Sequence, residues 1–278
     1  MRTIQEDCER WQKALPAALA MLNRTAEKIK DPLFRFFDRE TGIGSKLLSA
    51  VHKDLQDVIA ACKGEMKQTN HIRSLMIDSF NKGLVPSSWR KYKVPKDLSV
   101  AAWVLDFAER IGQLESIGKV ADSNGNMQSL KVWAGGLFVP EAYITATRQA
   151  VAQANGYALE KLVLSLDVRK DANDVPSSSG KNQSFLLTKM RVDGATALKD
   201  QLSFSNDPFS ILPLTVLRWD YNENQEDVRS GVTLPVYLNG TRAELIFTCV
   251  MQAPDRVEAS VVYGRGVALM CSSLSGVV

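Results

Sequence analysis

Gly180-Lys181 is the place in this sequence that comes nearest to a phosphate cradle. A Walker loop needs a further glycine upstream and Ser or Thr directly after the lysine. Val175 and Asn182 hold those positions. A strand-like run follows, so no helix N-terminus would face a phosphate. Gly42-Ile43-Gly44 lacks the third glycine of a dinucleotide fingerprint and follows no strand. Metal binding needs clustered ligands, but His52 and His71 fall on different expected helices, each beside an apolar stripe. Cys8, Cys62, Cys249 and Cys271 have no CxxC spacing, which leaves four reduced thiols as the simplest reading. There is no GxSxG elbow and no HExxH helix. Asp54, Asp57 and Asp106 are expected on the polar sides of amphipathic helices, solvated or paired with nearby bases. These residues therefore predict no catalytic, cofactor or metal site, and a protein that is not itself an enzyme.

The aromatic residues point to packing and contact instead. Trp11, Trp103, Trp133 and Trp219 fall in or next to apolar stripes and are expected in the core. Trp89 and Tyr92 differ, because they sit with Arg90 in a loop bracketed by Pro86 and Pro95 and rich in basic residues. Aromatic side chains are enriched at binding hot spots, so this loop is the best interface candidate. The alternative is that the loop folds back and Trp89 plugs the helices.

Composition narrows the class. The protein has 278 residues, 45% hydrophobic and 23% charged, with a formal net charge of +3. Such a balance gives no basis for nucleic-acid binding. No uninterrupted apolar run is long enough for a membrane-spanning helix.

The first half is written in helical periods. Ile4, Cys8, Trp11, Leu15, Ala18, Leu22, Ala26 and Ile29 predict one long helix kinked at Pro16 and closed by Asp31-Pro32. Leu33 to Phe37 forms a short apolar cluster. Leu48, Val51, Leu55, Val58 and Cys62 predict a separate helix after Gly42–Ser45, stopped at Gly64. Further helices are expected from about Lys67 to Lys82 and from Ser99 along Val100, Trp103, Val104, Phe107, Ile111 and Leu114. Pro140 and Glu141 open the last one. Its Tyr143, Ala146, Ala150 and Ala154 form a small-residue face, and Asn155-Gly156 supplies the stop.

After Tyr157 the period changes to two. Strands are expected at Leu162–Val168, Ser184–Val192, Gln201–Phe204, Leu214–Asp220, Val232–Tyr237, Leu245–Met251 and Val257–Met270. Hydrophilic loops are expected at 171–183 and 221–231. Short strands without intervening helices predict an antiparallel barrel or sandwich. The fold class is thus α+β, with a helical subdomain over 1–157 and a small β subdomain over 158–278.

The unbroken run from Gly135-Gly136-Leu137-Phe138 through Pro140-Glu141-Ala142-Tyr143-Ile144-Thr145-Ala146-Thr147-Arg148-Gln149 to Asn155 closely resembles a segment near the C-terminal end of dynein heavy chains. The segments at 29–37, 67–73 and 85–89, the Trp103–Leu114 stretch, Leu217-Arg218-Trp219, 234–242 and 263–268 resemble the same family in the same order. Departures are local, at Tyr263-Gly264-Arg265-Gly266 and in the two hydrophilic loops. The resemblance implies a non-catalytic C-terminal domain of a cytoplasmic microtubule motor. It further implies helices joined to an incomplete β-barrel, docked on one face of the AAA+ ATPase ring of the same polypeptide and tuning force and processivity. In that setting the expected intramolecular interface residues are Trp89, Arg90, Tyr92, Tyr143 and Arg148. No cofactor, membrane or nucleic acid is implied, microtubules are reached only through the parent motor, and the location is cytoplasmic and cytoskeletal. The rival reading is a free-standing adaptor whose β unit captures a peptide or accessory protein.

Overall fold

A computed structural model describes residues 2–93, 98–169, 184–198, 201–204, 207–223, 231–253 and 258–271. It divides into two compact units: residues 1–24 with 37–124, and residues 25–36 with 125–278. The change of period near residue 157 is a change of element type, whereas these units divide at 24/25, 36/37 and 124/125.

In the first unit, helix α1 spans Arg2–Ala14 and packs on the fourth helix, described below. It stops before Pro16 instead of kinking through it. Proline disfavours the helical region for the residue before it and removes a donor, and nothing restores the helix afterwards. Around and past Pro16 the expected stripe is only partly buried along an irregular segment: Leu15 and Leu22 are buried, with Leu19 beside them, whereas Ala18, Ala26 and Ile29 are exposed. His52 donates Nε2–H to the Pro16 carbonyl at 2.8 Å, which satisfies a group the broken helix leaves open.

Helix α2 spans Pro32–Lys63 as one element. Asp31-Pro32 opens it: the Asp31 carboxylate accepts the Leu33 N–H at 2.8 Å, and Pro32 takes the first helical position. The helix runs through Gly42 and Gly44, so the short cluster and the separate helix expected here are one. Each interior glycine costs about 1 kcal/mol. Burial of Leu48, Val51, Leu55 and Val58, each at most 1% exposed, outweighs that cost.

Thr69 caps α3, Asn70–Ser74, by accepting the Ile72 N–H. The backbone then continues through a π-helical turn, Leu75–Ser79, and a 3-10 turn, Phe80–Lys82. Ser99 caps α4, Val100–Asp122, and every residue of its expected stripe is buried.

In the second unit, α5 spans Pro140–Asn155 and ends at Gly156. Tyr143, Ala146 and Ala150 are buried, but Ala154 is exposed, because the buried face swings toward Ile144, Thr147 and Val151. A sixth helix, α6 at Ala259–Gly264, occupies much of the expected last strand.

The strands are β1 (Lys131–Val132), β2 (Leu162–Arg169), β3 (Ser184–Leu187), β4 (Arg191–Asp193), β5 (Thr196–Leu198), β6 (Gln201–Ser203), β7 (Phe209–Ile211), β8 (Leu214–Tyr221), β9 (Gly231–Tyr237), β10 (Leu245–Gln252) and β11 (Ala268–Met270). The main path is β1-β3-β8-β2-β10-β9-β11-β4-β7, with β6 joining β10 and β5 joining β6. The sheet curls into a half-barrel. It is neither small nor purely antiparallel: β1–β3, β2–β10, β6–β10 and β9–β11 are parallel pairs.

Two local departures have physical reasons. The expected Ser184–Val192 strand breaks into β3 and β4 at Lys189, whose φ of 56° cannot continue a strand. On β2, Ser165 and Asp167 are 5% and 6% exposed, so both faces are covered instead of one. The cost is met by pairing: Ser165 donates to Asp220 at 2.6 Å, and Arg218 lies 3.3 Å from Asp167.

Candidate docking surface

The strap between Gly83 and Ser99 carries three of the five expected contact residues. Its ends are joined by an isolated bridge between Leu84 and Ser99. Inside it a tight turn is held by Trp89 N–H to the Pro86 carbonyl, Arg90 N–H to the Ser87 carbonyl and Lys91 N–H to the Trp89 carbonyl. Val85 and Pro86 are buried beneath.

Trp89 is 0% exposed, so its indole is a core group and not a docking group. Its ring lies 5.6 Å from Phe80 and 5.1 Å from Trp103, within a series that runs from Trp11 to Phe107. Such aromatic pairs contribute about 0.5–1.5 kcal/mol beyond their area. The indole N–H donates to Asp54 Oδ2 at 2.8 Å. The other Asp54 oxygen meets His71 Nε2 at 2.8 Å. Asp54 is 8% exposed, so the expected place on a polar, solvated helix side is corrected, while the other expected state, pairing with a nearby base, is met by His71. Asp54 joins α2, α3 and the strap.

Tyr92, also on the strap, is buried against α4. Its hydroxyl donates to Asp106 at 3.1 Å, and the Arg110 guanidinium lies 4.4 Å from its ring centre. Arg110 closes the set by donating Nε–H to Asp106 at 2.7 Å. Burial pushes the Tyr92 phenol far above its ordinary range, although Arg110 works the other way. Asp106 is therefore paired, as expected; its base Arg110 is buried, while Asp106 itself is half-buried.

Arg90 is exposed, and its Nε–H donates to the Val85 carbonyl at 3.2 Å. It alone of the strap's three candidates presents its side chain to solvent.

The other two candidates lie on α5, in the second unit. Tyr143 is 2% exposed, packs 5.4 Å from Phe36, and has its phenol raised by burial. Arg148 is half-buried, donates to the Leu159 carbonyl and lies 5.5 Å over Trp219. Trp219 in turn donates its indole N–H to Thr147 at 3.0 Å. Both residues thus tie α5 to its own unit.

The Gly135-Gly136 pair has a similarly local reason. A Cβ on Gly136 would lie 2.2 Å from the Trp133 ring, and one on Gly135 would lie 2.5 Å from the Cys271 carbonyl. The Gly135 N–H donates to that same carbonyl at 3.2 Å. The glycines let the backbone wrap Trp133 and fasten the end of β11.

Sequence reasoning misses Asp54 and Arg110 as structural residues, although a signal exists. Asp54 stands three after Val51 and four before Val58, and Arg110 stands three after Phe107 and four before Leu114. Both are stripe positions filled by charge. The phosphate test site at Gly180-Lys181 lies outside the described residues. Among the described residues no group of three or more His, Cys, Asp or Glu side chains could hold a metal. No helix among them is long and apolar enough to cross a membrane. What this arrangement offers is a polar and basic surface on an anchored backbone over an aromatic core, suited to contact.

Comparison with known proteins places that architecture. The family described as the C-terminal domain of the dynein heavy chain matches residues 1–271. The protein belongs to this family. It is 41% identical to the cytoplasmic dynein heavy chain of Drosophila melanogaster over 98% of its own length. The corresponding proteins of Caenorhabditis elegans and Dictyostelium discoideum are 39% and 37% identical, over 98% and 93% of this sequence. The sequence spans only 5–6% of the length of these relatives.

Proposed function

We propose that this protein is a non-catalytic regulatory domain of a microtubule motor. In this reading it docks on one face of the AAA+ ring formed by the same heavy chain and tunes force and processivity. The observation that carries the reading is the match over residues 1–271 to a domain that makes up a small fraction of its relatives. A segment of that size, whose buried Asp54 and half-buried Asp106 are committed to internal partners, fits a brace better than an active site. Coupling to the motor would come from contacts that differ between nucleotide states of the ring, because only differential contacts shift such an equilibrium. The domain would work in the cytoplasm on the cytoskeleton, and meet microtubules only through the parent motor.

The test is a single-molecule comparison of the parent motor with and without this segment. Run length or stall force is expected to change. If neither moves, the regulatory reading fails. Equilibrium dialysis of the isolated domain against ATP is expected to show no binding.

A further inference from the structure

We propose that the part of the strap from Gly83 to Lys93 is a preformed cationic docking element for an acidic protein surface, with Arg90 and Lys91 as its contact residues. The inference rests on the docking reading above and names the chemistry of one contact within it.

Charge is the first observation. Between Gly83 and Ser99 the sequence has four Lys or Arg (Arg90, Lys91, Lys93 and Lys96) against one acid, Asp97. That local surplus of +3 equals the net charge of the whole protein. Lys82, just before the strap, is accounted for by Asp78, at 3.4 Å. Arg90 and Lys91 are exposed, and neither forms an ion pair among the described residues.

Rigidity is the second observation. A solvated basic loop needs no anchors, yet this one has two. Trp89 and Tyr92 flank Arg90 and Lys91, and both are buried and hydrogen-bonded to carboxylates on two different helices. The backbone between them is held by the turn bonds at Trp89, Arg90 and Lys91. Arg90 is further oriented by its bond to the Val85 carbonyl. Two cations on a fixed backbone lose less conformational entropy on binding than two on a free loop. Charge of this kind speeds encounter and selects an oppositely charged partner.

The same anchors choose between classes of partner. Binding to a lipid surface favours aromatic side chains that insert beside the basic ones. Here both aromatics point inward, and Leu84, at 48% exposed, is the exposed large apolar side chain among the strap's described residues. A carboxylate-rich protein surface fits, and Arg90 is suited to pair with a carboxylate through two N–H groups.

The experiment supplies this domain in trans to its parent heavy chain truncated just before it. R90E/K91E is compared with wild type and with K53E/K119E, which makes the same change in net charge at two other exposed lysines of the first unit. Wild-type affinity is expected to fall as salt rises. R90E/K91E is expected to weaken binding at least about tenfold at low salt and to flatten the salt dependence, with K53E/K119E within about threefold of wild type. Unchanged tryptophan emission from R90E/K91E confirms that Trp89 stays buried. Equal weakening by both pairs, or none by R90E/K91E, overturns the strap assignment while docking stands. Absence of wild-type binding removes the docking reading, and the strap assignment with it. Capture of wild type by phosphatidylserine vesicles but not by the heavy chain assigns the strap to lipid and overturns the proposal.

Discussion

Asp54 shows how much one buried carboxylate can organise. It is placed on α2, yet its two oxygens hold an indole from the strap and a histidine from α3. Replacing it leaves the Trp89 N–H buried without an acceptor. Stranding such a donor costs about 1–3 kcal/mol. D54A should therefore lose about that much in urea denaturation and shift tryptophan emission to longer wavelength. D54N keeps an acceptor for the indole and should lose less. If the two variants are equally stable, the hydrogen bond is not what matters at this site. Gly136 tests packing by the same logic. A methyl group there collides with the Trp133 ring at 2.2 Å, and overpacking costs about 1–3 kcal/mol. G136A should be destabilised by that order, measured by chemical denaturation, and wild-type stability would show that the loop relaxes freely.

Local chemistry decides an element's ends more firmly than its course. Ser99 as a cap, and Gly64 and Gly156 as stops, are legible in the sequence because capping depends on residues three or four apart, whereas the Thr69 cap places the start of α3 later than the expected Lys67. Pro16 reads as a kink because the apolar stripe continues past it. Past it only Leu22 of the stripe stays buried, and the irregular segment there buries Leu19 as well, so apolar spacing alone does not report the backbone. The glycines of α2 mislead in the opposite direction, since a local cost near about 1 kcal/mol is smaller than the burial around it. Gly112 in α4 has open space where a Cβ would go. G112A should therefore stabilise the protein by about 0.5–1 kcal/mol in thermal or urea unfolding. Destabilisation instead would mean that the α4 backbone at Gly112 is constrained in some other way.

Across both units the molecule holds its thiols neutral. Burial, helped by nearby Cys62, Asp7 and Glu9, pushes the Cys8 thiol up to about 12. Burial pushes Cys271 up to about 12 and raises Cys249 as well. An ordinary thiol ionises near 9.0, so the unfolded polypeptide releases these protons first. Above that pH the unfolded state binds fewer protons than the folded one, and stability falls as pH rises toward 12. The raised phenols of Tyr92 and Tyr143 act in the same direction. Urea titrations at pH about 7, 9 and 11 should show a steady loss of unfolding free energy above pH about 9. A flat profile would mean that the thiols ionise in place.

Residue order alone is enough to reveal the helical stripes, the caps, the shift from helix to strand after Tyr157 and the family. These depend on neighbours a few residues apart or on a long ordered run of residue types, and both can be read without coordinates. Three-dimensional packing is needed to show that Trp89 faces inward, that Asp54 is a buried hub, that Arg90 and Lys91 are left outside, and that parallel pairs mix with antiparallel ones. Each of these depends on a partner distant in sequence, such as Asp54 for Trp89 or Ser165 for Val250, and no local period encodes where that partner will be.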